Sequence, residues 1–218
     1  MKKRILTALL AFCMTAALLP GVALAADGTG GDPYAGLGAY GVSGIVLNPA
    51  PMPFTDVGHD NWFFADVDYV WKHYLMTGVS PTGFGPQTTT SRAMIWTILA
   101  RMQGVQMDED TVPWYEDSRR WVMSGDISDG ANPQADVTRE ELATMLWRSA
   151  GMPAPGEALD LSRFSDSDAV SAYALTAVRW AVSVNLLRGY DDGKLYPQGT
   201  ATRAEIAAMV TRWGENMD

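Results

Sequence analysis

The sequence contains three copies of one residue pattern, and this internal repeat limits the possible folds more than any other feature. Each copy reads Pro-Gln, three further residues, Ser or Thr, Arg, eight residues and a second Arg. Self-similarity at a period of about 50 residues is typical of architectures in which neighbouring units bury a shared core. The first Arg of each copy is Arg92, Arg139 or Arg203, and the second is Arg101, Arg148 or Arg212.

Apolar spacing around the pattern predicts two helices in each repeat. The first helix ends near a glycine such as Gly78, which we expect to adopt the left-handed conformation of a helix cap. The second helix begins at the Ser or Thr and places apolar residues three, six and seven positions after the Arg. A lone pair of short helices cannot bury its apolar face, but three pairs can. We therefore predict an all-α fold of three helix-loop-helix repeats with approximate three-fold symmetry. In this fold the second helices lie at the centre.

The composition of the segments outside the repeats predicts their roles. A basic start, an apolar run and Ala23-Leu24-Ala25 predict a secretory signal peptide over residues 1–25. Residues 26–53 are rich in Gly and Pro and predict a flexible, exposed leader. The remaining boundaries that we predict are repeat 1 at 54–103, a shortened repeat 2 at 104–151, a connector at 152–163 and repeat 3 at 164–214.

Charge and residue content argue against several classes of function. Removing the predicted signal peptide takes away three positive charges and no negative ones, so the net charge changes from −9 to −12. Such an acidic protein is not expected to bind nucleic acid or anionic lipid. Cys13 is the one cysteine and lies in the signal peptide, and His59 and His73 are the two histidines. We therefore expect no metal, no cofactor and no catalytic residues, and no membrane span after cleavage.

The residues that open each second helix include a helix-start signature. Ser or Thr followed three positions later by Glu forms a capping box, in which hydroxyl and carboxylate satisfy helix-start amides. The capping residues are Ser91, Thr138 and Thr202 with Glu141 and Glu205, and Met94 stands where repeat 1 would have the Glu. Capping leaves the first Arg unexplained, because a cation at a helix N-terminus opposes the helix dipole. Two accounts remain open: an ion pair with a neighbouring repeat, or an anion site built from the Arg and free helix amides.

Residues 54–214 resemble the S-layer homology domain. The resemblance is carried by Phe-x-Asp openings, Leu-x-x-Gly, an aromatic-x-Pro loop and Thr-Arg-Ala-Glu, and repeat 3 carries it most completely, from Phe164 to Glu205. It implies a three-pronged helical bundle in a secreted protein of the cell wall or S-layer. It also implies a non-enzymatic module that binds an acidic, often pyruvylated, secondary cell-wall polysaccharide in grooves between repeats. Arg92, Arg139 and Arg203 are then the expected contacts to the sugar's acid group.

Two departures from the family pattern limit how many grooves we expect to work. Repeat 2 lacks the Phe-x-Asp opening and has a shorter loop, and repeat 1 has Met94 in place of Glu. We therefore expect one or two working sites. The alternative function is a structural S-layer or envelope assembly subunit that acts through contacts with other envelope proteins. A secreted hydrolase is disfavoured, because capping accounts for the paired carboxylates and no room is left for a catalytic domain.

The tryptophans of the first helices are expected to be mainly core residues, with one or two at groove edges where they could stack on sugar faces. The tryptophans concerned are Trp62, Trp71, Trp114, Trp121 and Trp180.

Overall fold

The computed structural model describes residues 47–108, 110–155 and 160–217. These residues form six α-helices: α1 (Phe64–Lys72), α2 (Arg92–Met102), α3 (Glu116–Ser124), α4 (Arg139–Ser149), α5 (Leu175–Ser183) and α6 (Arg203–Met217). Two short 3-10 helices lie at Leu161–Arg163 and Ser167–Ala169. Only isolated β-bridges, and no strand, occur within these ranges. The all-α prediction is confirmed, while the predicted signal peptide lies outside the described residues.

Helices α2, α4 and α6 form the interior of the described structure. Eight of the eleven residues of α2 are buried, whereas α1 and α3 each bury two of nine. This difference follows from composition, since α2 is apolar on nearly every face. The residues predicted from the spacing after each Arg are all buried: Ile95, Ile98, Leu99, Leu142, Met145, Leu146, Ile206, Met209 and Val210.

The closest helix pairs join different predicted repeats. Helix α1 packs against α6, α3 packs against α2, and α5 packs against α4. The first helix of each predicted repeat therefore covers the second helix of the repeat before it. Because α1 covers α6, this arrangement returns from the end of the chain to its beginning.

The N-terminal residues of the second helices make backbone hydrogen bonds to neighbouring pattern copies, and these bonds form a closed ring. In each of α2, α4 and α6 the amides of the first two residues donate one hydrogen bond each to carbonyls of another pattern copy. The pairs are Arg92 to Ala135 and Ala93 to Pro133, Arg139 to Gly199 and Glu140 to Pro197, and Arg203 to Thr88 and Ala204 to Pro86, at 2.9–3.0 Å. The carbonyls of the Pro and of the residue two positions after it therefore accept hydrogen bonds from a neighbouring helix start, which explains why their spacing from the Arg does not vary.

The first helices end differently from the prediction. Helix α1 ends at Lys72, and the left-handed residue that follows is Tyr74, with a φ of 55°, so the prediction of a left-handed Gly78 is wrong. Asp126 and Asn185 hold the same conformation after α3 and α5. Gly78 is needed for a different reason: a Cβ there would lie 2.5 Å from the Ser80 carbonyl oxygen and 2.6 Å from a Phe54 ring carbon.

The last residues of the predicted leader pack on α1, which differs from the exposed tether that we expected. The Asn48 amide donates to the Lys72 carbonyl at 2.8 Å, and Asn48 is buried. The Trp71 indole donates to the Ala50 carbonyl at 3.2 Å. Met52 packs against the core. These contacts provide hydrogen-bond partners for polar groups at the end of α1. The glycine-rich composition of the leader does not predict them.

Candidate ligand-binding grooves

Each second helix begins at a hydroxyl cap. The Ser91 hydroxyl accepts from the Met94 amide at 3.4 Å. At the two other helices the cap is reciprocal, because a glutamate also accepts from the amide of the capping residue. These capping boxes join Thr138 to Glu141 and Thr202 to Glu205, with carboxylate contacts of 2.9 Å.

The helix-start amides do not point at an empty anion site. The first two amides of each second helix donate to carbonyls of another pattern copy, and the third donates to the hydroxyl cap. A ligand carboxylate would have to displace these bonds to reach the amides. Of the two parts of the predicted anion site, only the arginine side chains therefore remain as candidate ligand contacts, because the helix-start amides are already hydrogen-bonded.

Arg92 is held by carboxylates and a carbonyl. Its guanidinium contacts Asp129 at 2.6 Å and Glu141 at 2.8 Å, and its Nε donates to the Ala131 carbonyl at 2.9 Å. Glu141 belongs to the neighbouring helix start, on α4. The ion pair between repeats, one of the two accounts left open by the sequence, is therefore present here.

Arg139 is buried in an equivalent arrangement at α6. It pairs with Glu205 at 3.2 Å, and it donates to the carbonyls of Leu195 at 2.9 Å and Arg188 at 2.8 Å. Its guanidinium also lies over the Tyr190 ring, 4.7 Å from the centroid. The charge is thus compensated by a carboxylate and stabilised by an aromatic face.

Arg203 differs from the other two because it makes no ion pair with a carboxylate in the described part of the chain. Its Nε donates to the Phe84 carbonyl at 2.8 Å, and its Nη2 donates to the Thr77 carbonyl. Arg203 is 6% exposed. Burial lowers the pKa of its guanidinium to about 10, and the charge of Asp56 partly opposes that shift.

The second arginines of the pattern are caps for the first helices. Arg101, Arg148 and Arg212 each donate to a backbone carbonyl just beyond a first helix, at Leu75, Ile127 and Leu186 respectively. Burial lowers the pKa of Arg212, and the nearby positive charge of Arg188 lowers it further.

A groove of about 440 Å³ brings three arginines to one surface. We call it the Arg139 groove, and its polar and aromatic lining consists of Trp62, Arg139, Arg188, Tyr190, Asp191, Glu205 and Arg212. Arg188 and Tyr190 flank Gly189 in the loop between α5 and α6. Sequence analysis did not select either residue as a site residue. The available signal was the contrast with the two other repeats, which have Thr77 and Val79 around Gly78 and Asp129 and Ala131 around Gly130.

An exposed aromatic side chain lies two residues before each first helix. Trp62 is 63% exposed, Trp114 is 47% exposed and Tyr173 is 56% exposed. Trp180 is buried and Trp71 and Trp121 pack against the core, whereas Trp62 and Trp114 are exposed, which agrees with the expectation of mainly core tryptophans with one or two exceptions. The Tyr173 side chain is held in place by a hydrogen bond, since its hydroxyl donates to the buried Glu140 carboxylate at 3.1 Å.

Two kinds of feature are absent from the described residues. No group of three or more His, Cys, Asp or Glu side chains there is arranged to hold a metal ion. No helix in the same ranges is long and apolar enough to cross a membrane.

Comparison with known proteins gives one family match and several longer relatives. The sequence model of the S-layer homology domain matches residues 163–207. The chain is 26% identical over 177 residues to an endoglucanase of Bacillus sp. (strain KSM-635), covering 73% of this chain and 18% of that protein.

Two further relatives carry surface-layer names. An S-layer protein of Bacillus thuringiensis subsp. finitimus is 23% identical, covering 78% of this chain and 22% of the relative. The surface-layer 125 kDa protein of Lysinibacillus sphaericus is 27% identical, covering 66% and 13% respectively. The chain thus spans less than a quarter of each of the three relatives.

The domain match and the surface-layer relatives agree with the resemblance noted in the sequence. They indicate a protein that is secreted and associated with the cell wall or S-layer. The matched residues run from the 3-10 helix before α5 to the first residues of α6, and they include Arg188, Tyr190 and Glu205 of the Arg139 groove. The chain therefore contains an S-layer homology domain over residues 163–207.

Proposed function

We propose that this chain is a non-enzymatic module that anchors to the cell envelope by binding an acidic secondary cell-wall polysaccharide. The observation that carries the proposal is the Arg139 groove, where three arginines and two exposed aromatic rings line one cavity. Guanidinium groups suit carboxylates because they offer paired donors in a fixed plane. Amphipathic aromatic rings suit the faces of sugars. The groove therefore combines the two chemistries that an acidic saccharide requires.

Within the groove, Arg188 is the arginine best placed to meet a ligand. Its side chain is exposed and donates to Asn185 at 2.8 Å, whereas the guanidinium groups of Arg139 and Arg212 already donate to backbone carbonyls. We propose that Arg139 and Arg212 set a positive field at the floor and that Arg188 pairs with the ligand's acid group, which could be a pyruvyl ketal. Trp62 and Tyr190 would stack on neighbouring sugar rings.

The proposed architecture behind the groove is a pseudo-three-fold, three-pronged bundle of repeats at 54–103, 104–151 and 164–214. The ring of hydrogen bonds between α2, α4 and α6 supports it, as does the packing of each first helix on the preceding second helix. In this arrangement the groove lies where repeats 1, 2 and 3 contribute Trp62, Arg139 and Arg188 respectively. Arg92 and Arg203 would face the two corresponding clefts.

The three clefts are not expected to bind an acidic polymer equally. The cleft at Arg92 contains Asp129 and Glu141, and both carboxylates already pair with the arginine. Like charges would repel an acidic ligand there. We therefore propose that the Arg92 cleft does not bind the polymer, which agrees with the expectation of one or two working sites.

Sedimentation with purified wall sacculi tests the proposed function. The mature protein should sediment with sacculi that carry an acidic secondary polymer and remain soluble after acid extraction of that polymer. Arg188→Glu should weaken binding at least about tenfold, because one charge-assisted hydrogen-bonded contact is worth about 1.5–3 kcal/mol. Arg179→Glu is the matched control, since Arg179 is exposed on α5 outside the groove and its substitution changes the charge equally.

Two outcomes would contradict the proposal. Equal sedimentation before and after polymer extraction would indicate protein contacts, as expected for a structural S-layer or envelope assembly subunit. Equal losses in Arg179→Glu and Arg188→Glu would show that net charge, and not the groove, controls binding. Circular dichroism of both variants establishes that the helices remain folded.

A further inference from the structure

The end of the leader is joined to α1 by two hydrogen bonds. The Asn48 amide donates to the Lys72 carbonyl at 2.8 Å, and the Trp71 indole donates to the Ala50 carbonyl at 3.2 Å. The Asn48 side chain shapes this segment, because its Oδ1 accepts from the Ala50 amide at 3.1 Å. We call residues 48–53 the strap, since they lie across the C-terminal end of α1.

The Trp71 ring that holds the strap also packs on Phe54, the residue directly after it. The two ring centroids lie 5.3 Å apart in an edge-to-face arrangement. Phe54 is buried, and its ring lies 5.4 Å from that of Phe84. Gly78 makes room for Phe54, because a Cβ there would lie 2.6 Å from a Phe54 ring carbon. The rings of Trp71, Phe54 and Phe84 thus form a continuous aromatic row that begins at the strap.

The aromatic row ends at the two carbonyls that hold Arg203. The Arg203 Nε donates to the Phe84 carbonyl at 2.8 Å, and its guanidinium lies 4.5 Å from the centroid of the Phe84 ring. Its Nη2 donates to the carbonyl of Thr77, which precedes Gly78. Phe54 therefore packs against one acceptor residue and against the neighbour of the other. Because interiors are close-packed, a shift of Phe54 would move both acceptors.

The two other junctions are built without such a row. The position of Trp71 is taken by Val182 on α5 and by Met123 on α3. The carbonyls that accept from the Nε atoms of the two other first arginines belong to Leu195 and Ala131. Aromatic support of the acceptors is therefore specific to the junction at which α6 meets the loop after α1.

This junction closes the ring of helix starts. The amides of Arg203 and Ala204 donate to the carbonyls of Thr88 and Pro86, so the last second helix returns to the first pattern copy. The side-chain bond from Arg203 to Phe84 joins residues 119 positions apart. Contacts over long stretches of chain carry a larger cost in loop-closure entropy than local contacts do. Groups that fix Arg203 in place therefore help to keep the ring closed.

We propose that the strap is a conformational lock: through Trp71 and Phe54 it fixes the carbonyls that position Arg203, and so it keeps the ring of helix starts closed. Trp71 and Phe54 act here as positioning residues. The lock gives the end of the leader a role other than tethering, because displacing residues 48–53 would loosen the Arg203 junction and leave the Arg139 junction unchanged. The proposal goes beyond the proposed function, since it concerns the opening of the ring without a ligand.

Hydrogen exchange of the arginine Nε–H groups in the ¹⁵N-labelled protein tests the lock. Arg203 and Arg139 are matched probes, since both are buried and both donate this proton to a backbone carbonyl. Trp71→Leu should speed the exchange at Arg203 at least about tenfold, because losing an aromatic pair together with a hydrogen bond favours local opening. The exchange at Arg139 should stay unchanged.

A second variant acts on the strap alone, and a third is the matched control. Asn48→Ala removes the side-chain bond within the strap and should speed the exchange at Arg203 by about two- to fivefold, as expected for one hydrogen bond. Trp147→Leu is the control, because its indole also donates to a backbone carbonyl, that of Pro153 at 2.8 Å, outside the aromatic row. It should leave the exchange at Arg203 unchanged.

The outcomes decide the proposal in either direction. Faster exchange at Arg203 alone, in both strap variants, supports the lock. Equal acceleration at Arg203 and Arg139 would indicate a general loss of stability and overturns it. Unchanged exchange at Arg203 in Asn48→Ala also overturns it, whether or not Trp71→Leu folds, as circular dichroism shows. Because no polysaccharide is present in this experiment, failure of the lock is distinguishable from failure of the proposed function.

Discussion

The Arg139 and Arg203 junctions are built on the same backbone and differ in their charges. Both arginines begin a second helix, both have helix-start amides that donate to the carbonyls of a neighbouring Pro copy, and both donate side-chain hydrogen bonds to two carbonyls. Arg139 then meets Glu205 and the Tyr190 ring, while Arg203 meets the Phe84 ring at 4.5 Å and no carboxylate in the described part of the chain. The two junctions therefore differ in that one arginine has an ion-pair partner and the other has none in the described part of the chain.

This comparison shows how a repeated scaffold can hold different sites. The hydrogen bonds that set the scaffold involve backbone atoms, and they are indifferent to the side chain at the third helical position. That position can then change without loss of the fold. A change from Glu to an apolar residue removes a carboxylate that could pair with an arginine, while the backbone hydrogen bonds of the scaffold stay the same.

Replacing each arginine by Met should produce the largest difference between the two junctions. Arg139→Met should lower the free energy of unfolding by about 3–5 kcal/mol, because it leaves the Glu205 carboxylate without its buried partner. Arg203→Met should lower it by about 1–3 kcal/mol, since only carbonyl acceptors are left unsatisfied. Urea denaturation of both variants measures the difference. An equal loss would mean that Glu205 contributes nothing to the Arg139 junction.

Exchanging the third helical residue should make each junction behave like the other. Glu205→Gln removes the charge that compensates Arg139 and should destabilise the protein by about 1–3 kcal/mol. Met94→Glu should stabilise it by about 0.5–2 kcal/mol, through a completed capping box and a pair with Arg203. Thermal unfolding gives both signs. Destabilisation by Met94→Glu would show that the α2 start does not approach Arg203 as Glu205 approaches Arg139.

The smallest expected effect is a difference in alkaline stability that belongs to the Arg139 junction alone. Burial and the hydrogen bond to Glu205 raise the pKa of Tyr190 to about 12. Since the folded protein favours the neutral phenol, this contribution is fully present below pH 10, near the ordinary tyrosine value, and is lost as the pH rises through about 12. Val79 takes this place at the other junction.

Tyr190→Phe tests this pH dependence. At neutral pH it should lower the free energy of unfolding by about 1 kcal/mol or less, as expected for one hydrogen bond at a partly exposed site. The difference from the unsubstituted protein should shrink between pH 10 and pH 12 in urea denaturation. Tyr115→Phe controls for the loss of a tyrosine hydroxyl elsewhere. A difference that stays constant across this range would contradict the assigned hydrogen bond.

Much of the local structure could be predicted because it depends on residues close together in the chain. The starts of α2, α4 and α6 follow from Ser91, Thr138 and Thr202, and the buried positions follow from the spacing after each Arg. Helix ends were less predictable. The left-handed residue is Tyr74 and not, as the sequence had suggested, Gly78. A glycine can mark either a left-handed turn or a close approach of other atoms, and the sequence alone does not distinguish the two.

The Arg139 groove could be predicted only in part. Arg139 and Glu205 carried a recognisable pattern, whereas Arg188 and Tyr190 lie in a variable loop, and Trp62 belongs to a distant segment of the chain. Their association depends on α1 packing against α6, and no local period contains that information.

The three copies of the pattern, the helices and caps that they encode, and the one arginine in each copy that capping does not explain can all be recognised in the linear sequence. The tertiary structure alone decided which helices pair and which carboxylate each arginine meets. The reason is physical: caps and apolar stripes arise from interactions over three or four residues. The partner of a buried charge instead depends on which surfaces the closed ring of helix starts brings together. Met94 stands at the position that Glu141 and Glu205 hold in the other second helices, and only the ring of helix starts gives that position an arginine as its partner.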